Sequence, residues 1–357
     1  MINVTQTFLP PMEEYIENLA SAWDAKWLTN RGRLVKELEE KLTAHLGIQD
    51  ILLVNNGTIA LQIAIKALGL SGEIITTPFS YVATVSSIVW ENCTPVFVDI
   101  DKDYLTIDET AIEAAITART TAILATHVYG FPCNVEVIAA IAQKHNLRVI
   151  YDAAHCFDVN YKGKSLLNYG DVSTLSFHAT KLFHTGEGGA IVCNDRDIAA
   201  KIFYHHNFGH HGEEEFYGLG INGKLSELSA AMGLAVLPYV DQIVLERKRL
   251  CDTYDSFLVG ANLQERKLRA GTVWNYSYYP VIFPSEETLL TVKKRLNELD
   301  IFPRRYFFPS LNRLPYVSYQ SAPIAERISR SVLCLPLYAG LKDSDIEVIC
   351  KTINANG

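Results

Sequence analysis

Lys181 stands between an apolar run and a glycine-rich turn in STLSFHATKLFHTGEGGAIV, residues 173–192. Upstream, a second apolar run ends in an acid, LRVIYDAAH, which puts Asp152 at the end of a buried strand. A lysine amine condenses with an aldehyde, and a carboxylate buried away from water needs a positive partner. Pyridoxal phosphate chemistry requires that pair: a Schiff-base lysine and an acid that keeps the ring nitrogen protonated. Most lysines are solvated surface charges, and a strand-end acid can be satisfied by backbone N–H groups. Each residue alone therefore carries little, and the surroundings decide.

Asn55-Asn56-Gly57-Thr58 follows one apolar run and opens a helical pattern. The start of a helix offers free N–H groups and partial positive charge to a phosphate, Gly57 lets the backbone approach, and Thr58 adds a hydroxyl. The same residues also read as an ordinary N-cap. Asp152 is followed by Ala153-Ala154-His155, small residues that leave room for a flat ring. His155 is either a satisfied core histidine or a partner for the phenolic oxygen of the cofactor. Tyr81, in Pro78-Phe79-Ser80-Tyr81, is either core or a ring stacked on the cofactor.

These residues need a scaffold, and the hydrophobic pattern supplies one. Short apolar, β-branched runs at 51–54, 73–77, 95–99, 122–126, 148–152, 174–177 and 189–193 read as strands. Helical patterns at 58–68, 81–90, 108–116 and 135–144 lie between them. The alternation predicts an α/β fold, a seven-stranded, mostly parallel sheet sandwiched by helices. After Leu225 a long helical pattern runs on, with Pro238 breaking it near Leu237. The expected organisation is an N-terminal arm over 1–20 that packs on a partner, a large domain over 21–244 and a smaller C-terminal α+β domain over 245–357.

Composition narrows the function classes. Of 357 residues, 40 are acidic and 32 basic, giving a net charge of −8 without a basic block, so nothing points to nucleic acid. No run of about 18 uncharged apolar residues predicts a membrane span, and the first residues lack the pattern of a secretion signal. Seven scattered cysteines without a CxxC pair read as reduced thiols in a cytoplasmic protein, with Cys93, Cys156 and Cys193 packing in the core.

Two other motifs fail on context. Gly218-Leu219-Gly220-Ile221-Asn222-Gly223 matches GxGxxG but follows a polar stretch rather than a buried strand. Read as a P-loop, it places Leu225 where a Ser or Thr must reach magnesium. The histidines 205, 206, 210 and 211 lack an accompanying carboxylate arrangement, so a solvated loop is the reading and no metal is expected.

With these pieces assembled, the chain resembles the nucleotide-sugar aminotransferases of the DegT/StrS group, a branch of the fold-type I pyridoxal phosphate enzymes. The matching stretches are WLTNRGRLVKELEEKL, NNGTIALQIAIKALGL, TTPFSYVATVSSIVWENCTPVFVDID, YDAAH, SFHATKLFHTGEGGAIV and GINGKLSELSAAMGL, which together cover almost the whole chain. The resemblance implies that Lys181 is the Schiff-base lysine, Asp152 the partner of the pyridine nitrogen and His155 the neighbour of the phenolic oxygen. It places Tyr81 against the ring and Gly57, Thr58 and Ser176 on the phosphate. Asn222 matches an asparagine given to the phosphate by the neighbouring subunit, which implies a homodimer with shared active sites. Lys224 stands where many members carry arginine, and it keeps the charge without the forked geometry.

The implied reaction moves an amino group from L-glutamate to a nucleotide-linked keto-deoxysugar by ping-pong kinetics, for surface-glycan biosynthesis. The segments TNRG and RRYFFPSLNRLPY resemble members that form dTDP-4-amino-4,6-dideoxyglucose, which makes Thr29, Asn30, Arg305, Tyr306 and Asn312 substrate-pocket candidates. The competing readings are a 3-aminotransferase acting on a dTDP-3-keto-6-deoxyhexose and a non-catalytic regulatory or binding protein of the same fold. Related C3-dehydrating enzymes carry histidine at the lysine position, and Lys181 argues against that chemistry.

Overall fold

The computed structural model describes residues 1–356. Its central sheet contains β1 (Ile51–Val54), β2 (Glu73–Thr76), β3 (Thr94–Phe97), β4 (Thr120–Thr126), β5 (Arg148–Asp152), β6 (Val172–Ser176) and β7 (Gly189–Val192). The spatial order is β1-β7-β6-β5-β4-β2-β3. Pairings from β6 through β5, β4 and β2 to β3 are parallel, and β7 runs antiparallel to both its neighbours. The sequence runs EIIT in β2 and GAIV in β7 are buried at every position, as strands covered on both faces must be.

Helices α1 (Met12–Asp24) and α2 (Arg33–Leu46) precede the sheet. Helices α3 (Gly57–Ala67), α4 (Val82–Trp90), α5 (Val135–His145) and α6 (Arg196–His206) connect or follow its strands. α7 (Glu227–Val236) and α8 (Val240–Phe257) lead out of it. One core layer joins α3, α4 and α6 to Ile150, Leu124 and Val172, and the other joins α2, α5 and α7 to Val149, Tyr151 and Ile123. Because side chains alternate along a strand, Asp152 shares the α4 face with Ile150, and Ser176 shares the α3 face with Val172. Strand parity thus brings the acid and this hydroxyl to the same side of the sheet.

The stretch 108–116 departs from the expected helix. It forms two 3₁₀ turns, Glu109–Ala111 and Glu113–Ala115. The Asp108 carboxylate accepts from the Thr110 N–H at 3.0 Å and tightens the first turn, and Ile112 is the one fully buried anchor. Without a continuous apolar stripe, nothing rewards longer helical growth. Pro238 lies in the 3₁₀ turn Leu237–Tyr239 between α7 and α8. The helical run Glu227–Phe257 is long and apolar enough to cross a membrane by composition, but Ala230, Leu234, Val236 and Ile243 are buried in the sheet's core.

That core ends within α8. Ile243 belongs to the sheet's cluster, whereas Leu250, Cys251 and Tyr254 pack with β8 (Tyr279–Ile282), β9 (Val332–Leu335) and helices α9 (Glu286–Glu298), α10 (Pro323–Ser331) and α11 (Asp343–Asn356). The arm makes contacts within its own chain. Ile2–Asn3 pairs in parallel with Ile301–Phe302, α1 packs on α7, and the Phe8 carbonyl accepts from His184 Nε2 at 2.6 Å. All seven cysteines are buried and unpaired.

β7 begins against the β1–α3 turn so closely that it tolerates no side chain. A Cβ on Gly189 would sit 2.6 Å from the Asn56 carbonyl carbon and 2.8 Å from the Gly57 nitrogen. Gly189→Ala is therefore expected to cost about 1–3 kcal/mol by displacing backbone rather than a flexible side chain. Urea unfolding monitored by circular dichroism checks this, and an unchanged midpoint would show that the turn yields freely.

Candidate active site

A cavity of about 400 Å³ opens at the carboxyl ends of β5 and β6, the position where open α/β sheets bind ligands. Of the residues singled out from the sequence, Gly57, Thr58, Tyr81, Asp152, His155, Ser176, Lys181 and Tyr306 line it. They come from five separate stretches of chain, and the fold converges them.

Asp152 is 5% exposed. Its Oδ2 accepts from Thr84 Oγ1 at 2.6 Å and its Oδ1 from the Ala154 N–H at 3.2 Å. Thr84 is the end of a buried hydroxyl chain that continues through Ser80 (2.7 Å) to Thr126 (3.0 Å). Burial raises the carboxyl's pKa; the Thr84 and Ala154 hydrogen bonds and the charge of Lys181 only partly oppose this. No salt bridge to Asp152 forms among the described residues. A protonated pyridine nitrogen would supply the missing cation.

Lys181 reaches the cavity from the turn after β6, where its N–H bonds the His178 carbonyl at 2.8 Å. Burial brings its amine down to about 8, against the upward pull of Asp152. A substantial fraction of the amine is therefore neutral near pH 7–8, as a group that forms Schiff bases and moves protons must be.

His155 is buried, and its Nδ1 accepts the Tyr129 N–H at 3.0 Å. Burial, then the nearby Lys181 charge, hold its pKa well below the ordinary histidine value. The neutral ring consequently carries its proton on Nε2 and presents a donor, the polarity that a phenolate oxygen requires.

The start of α3 forms an anion cradle. Asn56 caps the helix by accepting from the Ile59 N–H at 2.8 Å. A Cβ on Gly57 would lie 2.9 Å from Ser176 Cβ, so glycine lets the helix terminus and the end of β6 meet. The Thr58 and Ser176 side chains line the cavity beside this terminus. Tyr81, the N-cap residue of α4, is 57% exposed at the rim. The donor set, the cradle and the uncompensated acid fit pyridoxal phosphate: Lys181 for its aldehyde, Asp152 for N1, His155 for the phenolic oxygen and the α3 terminus for the phosphate.

Four substrate candidates lie elsewhere. Arg305 donates to Glu286 at 2.6 Å and to the Arg330 carbonyl at 3.0 Å, away from the cavity. Asn312 is fully buried and holds the Gln320 carbonyl, Glu326 and Ser310 at 2.6–2.8 Å. Thr29 and Asn30 are exposed in the turn before α2 and do not line this chain's cavity. Arg304 lines it instead. Its backbone pairs with Cys334, and the Tyr306 N–H closes a tight turn on the Arg304 carbonyl at 3.1 Å, which leaves Arg304 and Tyr306 on the cavity and Arg305 on Glu286. No local pattern in the sequence marks that turn, and Tyr278 and Thr84 left no signal either, because long-range packing alone brings them to the site.

Asn222 is exposed and outside the cavity of its own chain. Lys224 is half-buried with Nζ 4.6 Å from the centre of the Phe208 ring. The GxGxxG stretch folds back on α6, where Tyr217 stacks on Tyr204 at 4.5 Å and His205 bonds the Leu219 carbonyl at 2.6 Å.

The model of the DegT/DnrJ/EryC1/StrS aminotransferase family matches residues 11–354. A dTDP-4-amino-4,6-dideoxy-D-glucose transaminase of Shigella dysenteriae is 45% identical, over 99% of this chain and 98% of that protein. One of the same name from Escherichia coli is 40% identical over the same shares. Among solved structures, DesI crystallised in the presence of its TDP-sugar product superposes with a TM-score of 0.94 at 32% identity, covering 99% of this chain and 92% of that one. With the match running nearly end to end over a cavity whose groups suit the cofactor, this chain belongs to the DegT/DnrJ/EryC1/StrS family and is a pyridoxal-phosphate-dependent sugar aminotransferase.

Proposed function

We propose that the chain transfers an amino group from L-glutamate to C4 of dTDP-4-keto-6-deoxyglucose, in the cytoplasm, for surface-glycan biosynthesis. The full-length likeness to two transaminases named for the 4-amino product carries this reading. Pyridoxal phosphate, when bound, supplies the electron sink for charge developing at the carbon that loses its proton. Lys181 moves that proton, and Asp152 holds a positive charge at the far end of the ring. His155 donates from Nε2. Arg304 lines the cavity and brings a positive charge that suits an anionic substrate.

A homodimer with shared sites completes the proposal. Asn222 is exposed outside its own cavity, and the exposed Phe208, Phe216, Tyr217 and Leu219 lie in the same segment, the composition of a buried contact.

The test is product analysis. Enzyme loaded with cofactor, incubated with glutamate and dTDP-4-keto-6-deoxyglucose, is expected to give a product whose amine lies on C4 by NMR. Turnover only with the 3-keto isomer would move the assignment to C3. No turnover with either sugar would favour the non-catalytic reading.

A further inference from the structure

Among the described residues, the one side chain hydrogen-bonded to the Lys181 amine is Tyr278, whose Oη accepts from Nζ at 3.3 Å. Tyr278 is 7% exposed and lines the cavity. Its ring stands edge-on to His155 at 4.9 Å and to Tyr306 at 5.7 Å, so it cannot swing without repacking the site.

The loop that carries it is unusually well tied. Asn275 Nδ2 donates to the carbonyls of His155 (2.9 Å) and Phe157 (2.7 Å), and Ser277 Oγ donates to the His155 carbonyl at 3.0 Å. From the opposite side Arg247, 4% exposed on α8, donates through Nη1 to the carbonyls of Ser277 (3.0 Å) and Tyr276 (3.4 Å). Its Nε has no partner, and no carboxylate pairs with it among the described residues. A buried guanidinium without a counter-charge is costly, and what it secures here is the two residues of backbone that lead into the tyrosine. The loop is thereby keyed both to α8 and to the segment that follows Asp152.

Resting on the aminotransferase reading, we propose that Tyr278 is a positioning residue that holds the free Lys181 amine between the two half-reactions. The neutral amine donates one N–H to Oη, which leaves its lone pair directed into the cavity to take a proton from the substrate carbon and later return it. Burial keeps the phenol protonated, so it remains a neutral partner throughout. The other titratable groups facing the amine are Asp152, Tyr81, Cys156 and His155.

Tyr278→Phe keeps the ring and removes the oxygen. In that variant kcat is expected to fall roughly 10–100-fold, the effect of losing one hydrogen bond to a charged or reacting group, with KM for glutamate changed by no more than about twofold. A second readout needs no cofactor. In cofactor-free protein, pulse acetylation read at Lys181 by peptide mass spectrometry should titrate near pH 8 in wild type. The midpoint should move down by about half a unit or more in the variant, because the ammonium loses an acceptor. Tyr276→Phe, on the same loop but outside the cavity, should leave both readouts unchanged. If Tyr278→Phe does not fold, 4-fluorophenylalanine at 278 keeps nearly the tyrosine shape, replaces the hydroxyl with a poor acceptor and should shift both readouts the same way. Unchanged kcat and midpoint in a folded variant would overturn the proposal. Failure of the aminotransferase reading would show separately, as wild-type enzyme that does not transaminate.

Discussion

Lys181→Ala is expected to leave a folded protein whose transaminase rate is at least about 10⁴-fold lower, because it removes the covalent hold on the cofactor and the proton carrier together. Folding should survive. The amine is buried enough to bring its pKa down to about 8, so the native state gains little from its charge. The linkage sign follows. A lysine whose folded pKa lies below its unfolded value of about 10.5 disfavours the fold as pH drops from there toward 8, since the unfolded chain takes up the proton first. Alanine should therefore match or slightly exceed wild-type stability near pH 7 in cofactor-free protein. The measurements are 2-oxoglutarate release from glutamate, absorbance of bound cofactor and thermal unfolding. Turnover within about tenfold of wild type would mean that another base does the work, and the assignment of Lys181 would fail.

Why Lys181 and Asp152 were legible, and other residues were not, follows from where their signals lie. Both sit at the ends of apolar runs, so the pattern that builds the sheet also locates them. Gly57-Thr58 lies at a strand-to-helix junction and is visible for the same reason. Arg305 and Asn312 looked plausible because they are polar residues in a segment resembling a substrate loop. Arg305 is neutralised by Glu286, and Asn312 ties its own loop together. The register that sends Arg304 inward depends on its pairing with Cys334, thirty residues further on. Thr84 reaches Asp152 across 68 positions, and Tyr278 reaches Lys181 across 97. No local pattern encodes such contacts. The expected helix at 108–116 failed for a different reason: Ile112 and Ile116 are its only large apolar residues, and the fold buries only Ile112 fully.

Asp152→Asn separates the cost of the buried acid from its use. The variant can keep the local hydrogen bonds, because the Thr84–Ser80 hydroxyl pair can donate in either direction and so receive an amide as readily as a carboxylate. Cofactor-free wild type carries the acid at a disadvantage. Its folded pKa is raised by burial, so its contribution to stability is full below the unfolded carboxyl range and is lost as pH rises through the folded value. At neutral pH the asparagine variant without cofactor should be as stable as wild type or more so, by about 1 kcal/mol. With cofactor the order should reverse. Wild type gains a cation beside Asp152 and the variant does not, so cofactor should raise the unfolding temperature of wild type more. The rate should fall roughly 10³-fold, the scale seen when one preorganised electrostatic partner of a developing charge is removed. Thermal unfolding of both proteins with and without pyridoxal phosphate, at pH 5 and pH 8, measures the stability crossing, and steady-state kinetics measures the rate. If the variant retained its rate within about tenfold and gained as much stability from cofactor as wild type, Asp152 would be an ordinary strand-end acid satisfied by Thr84 and Ala154, and the ring nitrogen would need another partner.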